Sequence, residues 1–256
     1  MSETAGRTVR DFSNILVLVA MDAEKDAILS ASKSKKGPEA FPFGLEAYRF
    51  SCTGGNIFLA TTGVGIANAA VATALFAERL AIDAILLLGV GGSLSPLLDI
   101  GDMVLGLEVL QHDCRFSGEN GSELMTPGEL FLSKPPEERG DPALPAHPAW
   151  LEWLRPVLKS VRCFEGTILS GNEFAGNPER KKELSKLAKN ALLVDMEAAG
   201  VAQVARKLGI PFGVVKTVSD RLAPEGEVAA DYRLFMRKAA EQSSLIFSRL
   251  LSEKSL

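Results

Sequence analysis

The sequence predicts an α/β domain: a twisted mixed β-sheet flanked by helices. Asn14–Ala20 is a short run that is apolar on both faces, as strands buried in a mostly parallel sheet are, and Ala84–Leu88 and Val214–Val218 also read as buried strands. Ala69–Leu80 and Ala198–Leu208 carry the small and apolar spacing of helices packed against such a sheet. Glycines and acids cluster just past the apolar runs, where open α/β sheets gather the groups that bind ligands.

The chain has 256 residues, 46% of them hydrophobic, which is ample for one large core. With no internal repeat and no low-complexity linker, the expectation is a flexible tail over residues 1–13 and a single domain over 14–256. No apolar run reaches membrane-spanning length, since 85–98 is broken by glycines, serines and a proline. Residues 1–14 lack the apolar core of a signal peptide, so a cytoplasmic protein is expected. Cys52, Cys114 and Cys163 are odd in number, widely spaced and outside any CxxC motif, which argues against disulfides and structural zinc. A net charge of −4 without a long basic run makes nucleic acid an unsuitable partner. The reading is a protein directed at small molecules.

The elements follow in order. After the strand at 14–20, Met21-Asp-Ala-Glu-Lys-Asp26 opens a helix through Leu29, and 33–38 is a polar break. Phe43–Phe50 and Asn56–Thr62 read as a hairpin joined by Thr53-Gly-Gly55. Gly63-Val-Gly65-Ile-Ala-Asn68 then opens the helix at 69–80. It is nearly a dinucleotide-binding motif, but Asn68 replaces the third glycine and Asp83 precedes the next strand instead of ending one. NAD is therefore set aside in favour of a glycine turn that lets a ligand approach amides at a helix N-terminus. The strand at 84–88 runs into Gly89-Val-Gly91-Gly92-Ser93, where main chain can lie against a ligand or simply pack tightly. A strand at 103–110 leads into 112–149, expected to be irregular and therefore a lid or a disordered segment. A helix from Trp150 to Leu158, a strand at 166–170, a charged surface helix at 178–189 and a terminal helix from Asp231 to about Ser252 complete the chain.

The stretch 191–220 organises the functional reading. Leu192–Val194 lead to Glu197, and Val214–Val218 lead to Ser219 and Asp220. The bland alternative makes Glu197 a first-turn acid facing a helix dipole and Asp220 an N-cap.

Several of these pieces, in this order, resemble the nucleoside phosphorylase/nucleosidase superfamily, most closely its methylthioadenosine/S-adenosylhomocysteine nucleosidases. The matching stretches are 19–24, 63–65, 89–102, 112–113, 169–174, 194–198 and 218–220. The resemblance implies a homodimer that cleaves the bond between adenine and a 5-modified ribose without metal or cofactor. Carried over residue by residue, it makes Asp220 the acid at purine N7, with Ser219 beside it on the base edge. Glu24 would activate the attacking water, and Glu197 would hold the ribose hydroxyls above Met196. Phe174 would stack on the purine and the backbone of Ala175 would meet its exocyclic edge. Gly65 and Gly91 are glycines of the ligand-facing turns. Met21, Phe235 and the His112–Asp113 loop would line the pocket for the 5-substituent, the loop lent by the other subunit.

The chemistry is coherent in itself. Glycosidic cleavage passes through an oxocarbenium-like state that needs an acid for the leaving group and a base for water. Asp220 must carry a proton when it acts, which burial beside Val214–Val218 is expected to favour. Glu24 must be ionised, and Glu197 stabilises positive charge developing on the sugar. Without the resemblance, Glu24 reads as a surface residue one turn into a helix. A phosphorylase would need arginine for phosphate, yet Leu87 stands two residues before Gly89 where related phosphorylases have it, and 50–78 contains none. Two departures, Val90 for serine and Asn172 for aspartate, leave the 5-substituent open, with aminodeoxyfutalosine/futalosine hydrolase as the alternative. A purine nucleoside phosphorylase and a non-catalytic nucleoside-binding protein are the remaining readings.

Overall fold

The computed structural model describes residues 6–32, 36–119, 121–129, 134–222 and 232–255, with only the backbone given at 136 and 232–240. In chain order the strands are β1 (Asn14–Val19), β2 (Lys36–Ala40), β3 (Glu46–Cys52), β4 (Gly55–Thr61), β5 (Ala84–Leu87), β6 (Val90–Ser93), β7 (Met103–Gln111), β8 (Arg115–Gly118), β9 (Gly121–Leu124), β10 (Ala143–Pro145), β11 (Cys163–Ser170), β12 (Ala191–Asp195) and β13 (Phe212–Asp220). The helices are α1 (Asp22–Ala31), α2 (Ile66–Arg79), α3 (Pro148–Leu158), α4 (Pro178–Leu184), α5 (Ala198–Leu208) and α6 (Tyr232–Lys254).

Among the described residues, eleven strands form one mixed sheet in the order β10-β7-β11-β12-β6-β13-β5-β1-β4-β3-β2. β13 is its pivot. Its first residues pair in parallel with β5, its middle pairs antiparallel with β7, and its end pairs in parallel with β6. Because β7 also pairs with β11, the sheet curls and closes on itself around β13. That curl brings the ends of β6, β12 and β13 to one place, with the turns after β1 and β4 alongside.

Helices cover both faces. Phe76, Ala69 and Ala72 of α2 pack with Ala198, Val201 and Ala202 of α5 over Leu87 and Val214. On the opposite face Ile28, Trp150, Leu154, Ile246 and Phe247 cover Val17, Leu86 and Val215. Asp83, set aside as a ribose ligand, accepts from the amides of Ser13 and Asn14 at 2.9 and 3.0 Å and so fixes the start of β1. Among the described residues no helix is long and apolar enough to cross a membrane.

Several expectations are corrected. The segment before Asn14 carries a 3-10 turn at Val9–Asp11, with Val9 and Phe12 buried and Phe12 against Trp150. The polar break at 33–38 yields β2 from Lys36, and the strand expected from Phe43 begins at Glu46 after a 3-10 turn. The region 112–149 holds the β8–β9 hairpin and β10 where only irregular chain was expected. Its alternation is too short and polar to register as periodicity. β6 is a further strand, hidden by its glycines. The charged helix expected over 178–189 ends at Leu184.

Candidate functional site

The site is built from strand ends. β1 ends one residue before Ala20, and the chain turns into α1, whose third residue is Glu24. Glu24 is 2% exposed despite its place in a first helical turn. Its Oε2 accepts from the amides of Ala20 and Met21 at 3.1 and 2.9 Å, which folds the carboxylate back toward the sheet. Its Oε1 is buried with no hydrogen-bond partner among the described residues. The surface alternative for Glu24 is thereby excluded.

Gly89, between β5 and β6, has φ +139°, and a Cβ there would lie 3.0 Å from Glu24 Oε1 and 3.3 Å from Lys216 Nζ. Only glycine lets the two side chains meet at this point. Lys216, in the middle of β13, is completely buried; its ammonium pairs with Asp195 Oδ2 at 2.8 Å and with Glu197 Oε2 at 3.4 Å. Asp195 ends β12 and also accepts from Ala198 N at the start of α5. Glu197 occupies the position just before α5, and its Oε1 accepts from Gly65 N at 3.2 Å. Gly65, with φ +102°, caps α2 and so ties the glycine turn after β4 to the acid after β12. Glu197 is thus more than a first-turn acid: its side chain points to another helix and to a buried lysine.

The electrostatics follow from this enclosure. Burial raises Glu24 above the ordinary glutamate range, opposed by the positive charge of Lys216 and by the two amides. Burial likewise raises Glu197; Lys216 opposes it and the neighbouring Asp195 adds to it. Burial alone would depress Lys216, but Asp195 and Glu197 outweigh it and hold the ammonium charged. Three carboxylates around one cation make a cluster that favours added positive charge or a proton.

Asp220 closes the same strand four residues beyond Lys216. Its Oδ1 accepts from Ser219 Oγ at 2.7 Å, and that hydroxyl also lies 2.9 Å from the carbonyl of Gly91. Asp220 Oδ2 is engaged by the ammonium of Lys181 from α4. A Cβ on Gly92 would lie 3.2 Å from both Asp220 Oδ1 and Lys181 Nζ. The burial expected for Asp220 beside Val214–Val218 is corrected. Val214, Val215 and Val218 pack in the core, while the Asp220 side chain is 38% exposed and held by a lysine.

A second chain of contacts flanks the glycine turn. Asn172 Oδ1 accepts from Ile66 N at 3.0 Å, and Asp113 Oδ2 accepts from Asn172 N at 2.8 Å. Asn172, noted for departing from the family's aspartate, thus holds the start of α2. His112 is 1% exposed against Gly171, with neither ring nitrogen hydrogen-bonded among the described residues, and burial pushes it below its ordinary value. Met21 and Met196 are half-buried beside Glu24 and Glu197, and Ala175 is buried. Phe174 is 81% exposed, so within this chain it is not packed on the site. The Phe235 side chain lies outside the described residues.

Glu24, Glu197, Gly65, Gly91, Ser219 and Asp220 are therefore gathered at one end of the sheet, with His112 and Asp113 at its flank. Asp195, Lys216 and Lys181 went unremarked in the sequence. Lys216 did leave a signal, being the one charge within Phe212–Val218, and so did Asp195, two residues before Glu197. Lys181 left none, because it sits in the charged run 179–183. Among the described residues no group of three or more His, Cys, Asp or Glu is arranged to hold a metal ion.

Comparison with known proteins places the chain in a family. The profile of the Phosphorylase superfamily matches residues 14–252. The chain is 28% identical over 240 residues to 5'-methylthioadenosine/S-adenosylhomocysteine nucleosidase of Anoxybacillus flavithermus, covering 94% of this chain and 98% of the relative. It is 30% identical over 200 residues to the Staphylococcus aureus nucleosidase of the same name, covering 77% and 82%. The Neisseria meningitidis nucleosidase in complex with methylthio-immucillin-A superposes with a TM-score of 0.76 at 27% identity, covering 95% of this chain and 100% of that one. The chain accordingly belongs to the phosphorylase superfamily, as an enzyme of its N-glycosyl hydrolase kind.

Proposed function

We propose that the protein hydrolyses the N-glycosidic bond of a 5'-modified adenosine, of the methylthioadenosine or S-adenosylhomocysteine type, and releases adenine. The observation that carries this reading is the carboxylate of Glu24: one oxygen held by two amides, the other buried beside Lys216 with no hydrogen-bond partner among the described residues. Such an oxygen suits a water that must be oriented and deprotonated. A phosphate dianion would meet a negative cluster there, which disfavours phosphorolysis.

In this reading Glu24 removes a proton from water as its oxygen attacks C1' of the sugar. Glu197 accepts from the ribose hydroxyls and, with Asp195, favours the positive charge that grows on the ring. Asp220 delivers a proton to N7, so that the purine leaves neutral, and Ser219 orients its carboxyl. Val64 and Val71, exposed on and before α2, fit the face a second subunit of a homodimer would cover.

The test is release of adenine from methylthioadenosine at neutral pH without phosphate, measured beside S-adenosylhomocysteine and aminodeoxyfutalosine. A fastest rate with the last compound moves the assignment to the alternative hydrolase. Dependence on phosphate overturns hydrolysis, and no turnover of any of the three leaves a nucleoside-binding protein. Asp220→Asn should lose about 10² to 10⁴-fold in kcat while still binding substrate, because an amide delivers no proton. Near-normal turnover in that variant removes Asp220 from its role.

A further inference from the structure

The acid assigned to the leaving base is ion-paired. Lys181 comes from a helix whose charge pattern reads as a solvated surface, yet the residue is 2% exposed. Its ammonium donates to Asp220 Oδ2 and, at 3.4 Å, to the carbonyl of Arg221, while Ser219 engages Asp220 Oδ1. Gly92 leaves the space in which the pair meets. A carboxylate that accepts from an ammonium has no proton of its own to give. The nearest ionisable hydrogen belongs to the lysine.

The surrounding charges have partners elsewhere. On α4, Arg180 bonds Glu173 at 2.8 Å and Glu183 at 3.0 Å. Past the end of β13, Arg221 lies 3.9 Å from Asp99. On β13 itself, Lys216 is held by Asp195 and Glu197. Lys181 and Asp220 thus form a two-membered unit at the rim of the site.

We propose that Lys181 is a positioning residue that holds Asp220 and supplies, through it, the proton for the departing purine. This rests on the reading of the protein as a nucleosidase. As the C1'–N9 bond breaks, its electron pair moves into the purine. Lys181 passes one of its protons to the Asp220 carboxylate, and that carboxyl delivers a proton to N7. The base leaves neutral, Lys181 is left as an amine and Asp220 as a carboxylate. The water oxygen bonds C1', and its proton stays on Glu24. Exchange with solvent then returns one proton from Glu24 to Lys181, so that charge and hydrogen balance over the cycle.

The experiment is the pH profile of kcat for base release from methylthioadenosine by the full chain, with Lys181→Met and Lys181→Arg beside the unaltered protein. Lys181→Met should lose about 10²-fold in kcat. Its alkaline limb should move to lower pH, because the carboxyl then has no ammonium behind it to resupply the proton. Lys181→Arg keeps the charge but does not release a proton, so it should stay slow. An arginine variant at full rate, or an unmoved limb in the methionine variant, overturns the proposal while leaving the nucleosidase reading intact. If Lys181→Met fails to fold, the arginine variant decides alone. No base release by the unaltered protein overturns both.

Discussion

Two buried lysines hold carboxylates at this site, and they do so under opposite conditions. Lys216 is sealed in the middle of β13 and shared among Asp195, Glu197 and the neighbouring Glu24. Lys181 reaches from α4 to a single carboxylate, Asp220, whose side chain is 38% exposed. The first cluster has more negative groups than positive ones, so its excess charge is kept for a developing cation. The second is a matched pair at a rim, where charge can be neutralised by passing a proton. One arrangement stores a field and the other moves hydrogen, and both are built from lysine and acid. Position in the sheet decides between them.

The comparison breaks most visibly if Lys216 is removed. Lys216→Met leaves Asp195 and Glu197 buried without a cation, and removing one partner of a buried pair costs about 3 to 5 kcal/mol. Urea unfolding should show that loss as a lower midpoint with an unchanged slope. A loss below about 1 kcal/mol would mean that water already reaches the cluster, and the contrast with the rim would fail.

Gly89, just before β6, and Gly92, within it, sharpen the contrast. Gly89→Ala places a methyl 3.0 Å from Glu24 Oε1 in a backbone with φ +139°, where a side chain is strained whatever the space. A cost of about 1 to 3 kcal/mol and a slower reaction are expected together. Gly92→Ala puts a methyl 3.2 Å from Asp220 Oδ1 and Lys181 Nζ, in a backbone without that strain. Its stability should fall less, while kcat still falls as the pair is pushed apart. Equal melting losses in the two variants would show that the rim is as rigid as the sealed cluster.

The sequence made the scaffold plainer than the chemistry. β1 and α5 were readable because apolar periodicity reports burial, and both ends of α5 match the expected Ala198–Leu208. Glu197 and Asp220 were marked by lying just past apolar runs, whereas Glu24 stood out only through the resemblance, since by itself it reads as a surface residue. The lysines were obscured for two different physical reasons. Lys216 breaks an apolar run, a signal that needs a partner to interpret, and its partners lie on other strands. Lys181 belongs to a short helix where charge normally means solvent, and only the fold turns that one position inward. The hairpin of β8 and β9 was missed because four-residue polar strands leave no stripe to read.

The smallest effect is the most specific to the sealed cluster. Burial raises Glu24 above its value in the unfolded chain. A carboxyl with a raised folded pKa binds its proton more tightly in the native state. Its stabilising contribution is therefore full below the ordinary glutamate range and is lost as pH rises through the raised value. Where Glu24 is ionised, as the activation of water requires, it carries a charge that the fold would prefer protonated. Glu24→Gln removes that conflict at similar volume, so the variant should be about 1 kcal/mol more stable at neutral pH, by thermal unfolding, while losing its turnover. The gain should shrink as pH falls toward the ordinary range of glutamate, where the native protein takes up the proton itself. A variant that is less stable at every pH would show that Lys216 compensates Glu24 fully, and that the cluster holds no excess negative charge for the sugar to use.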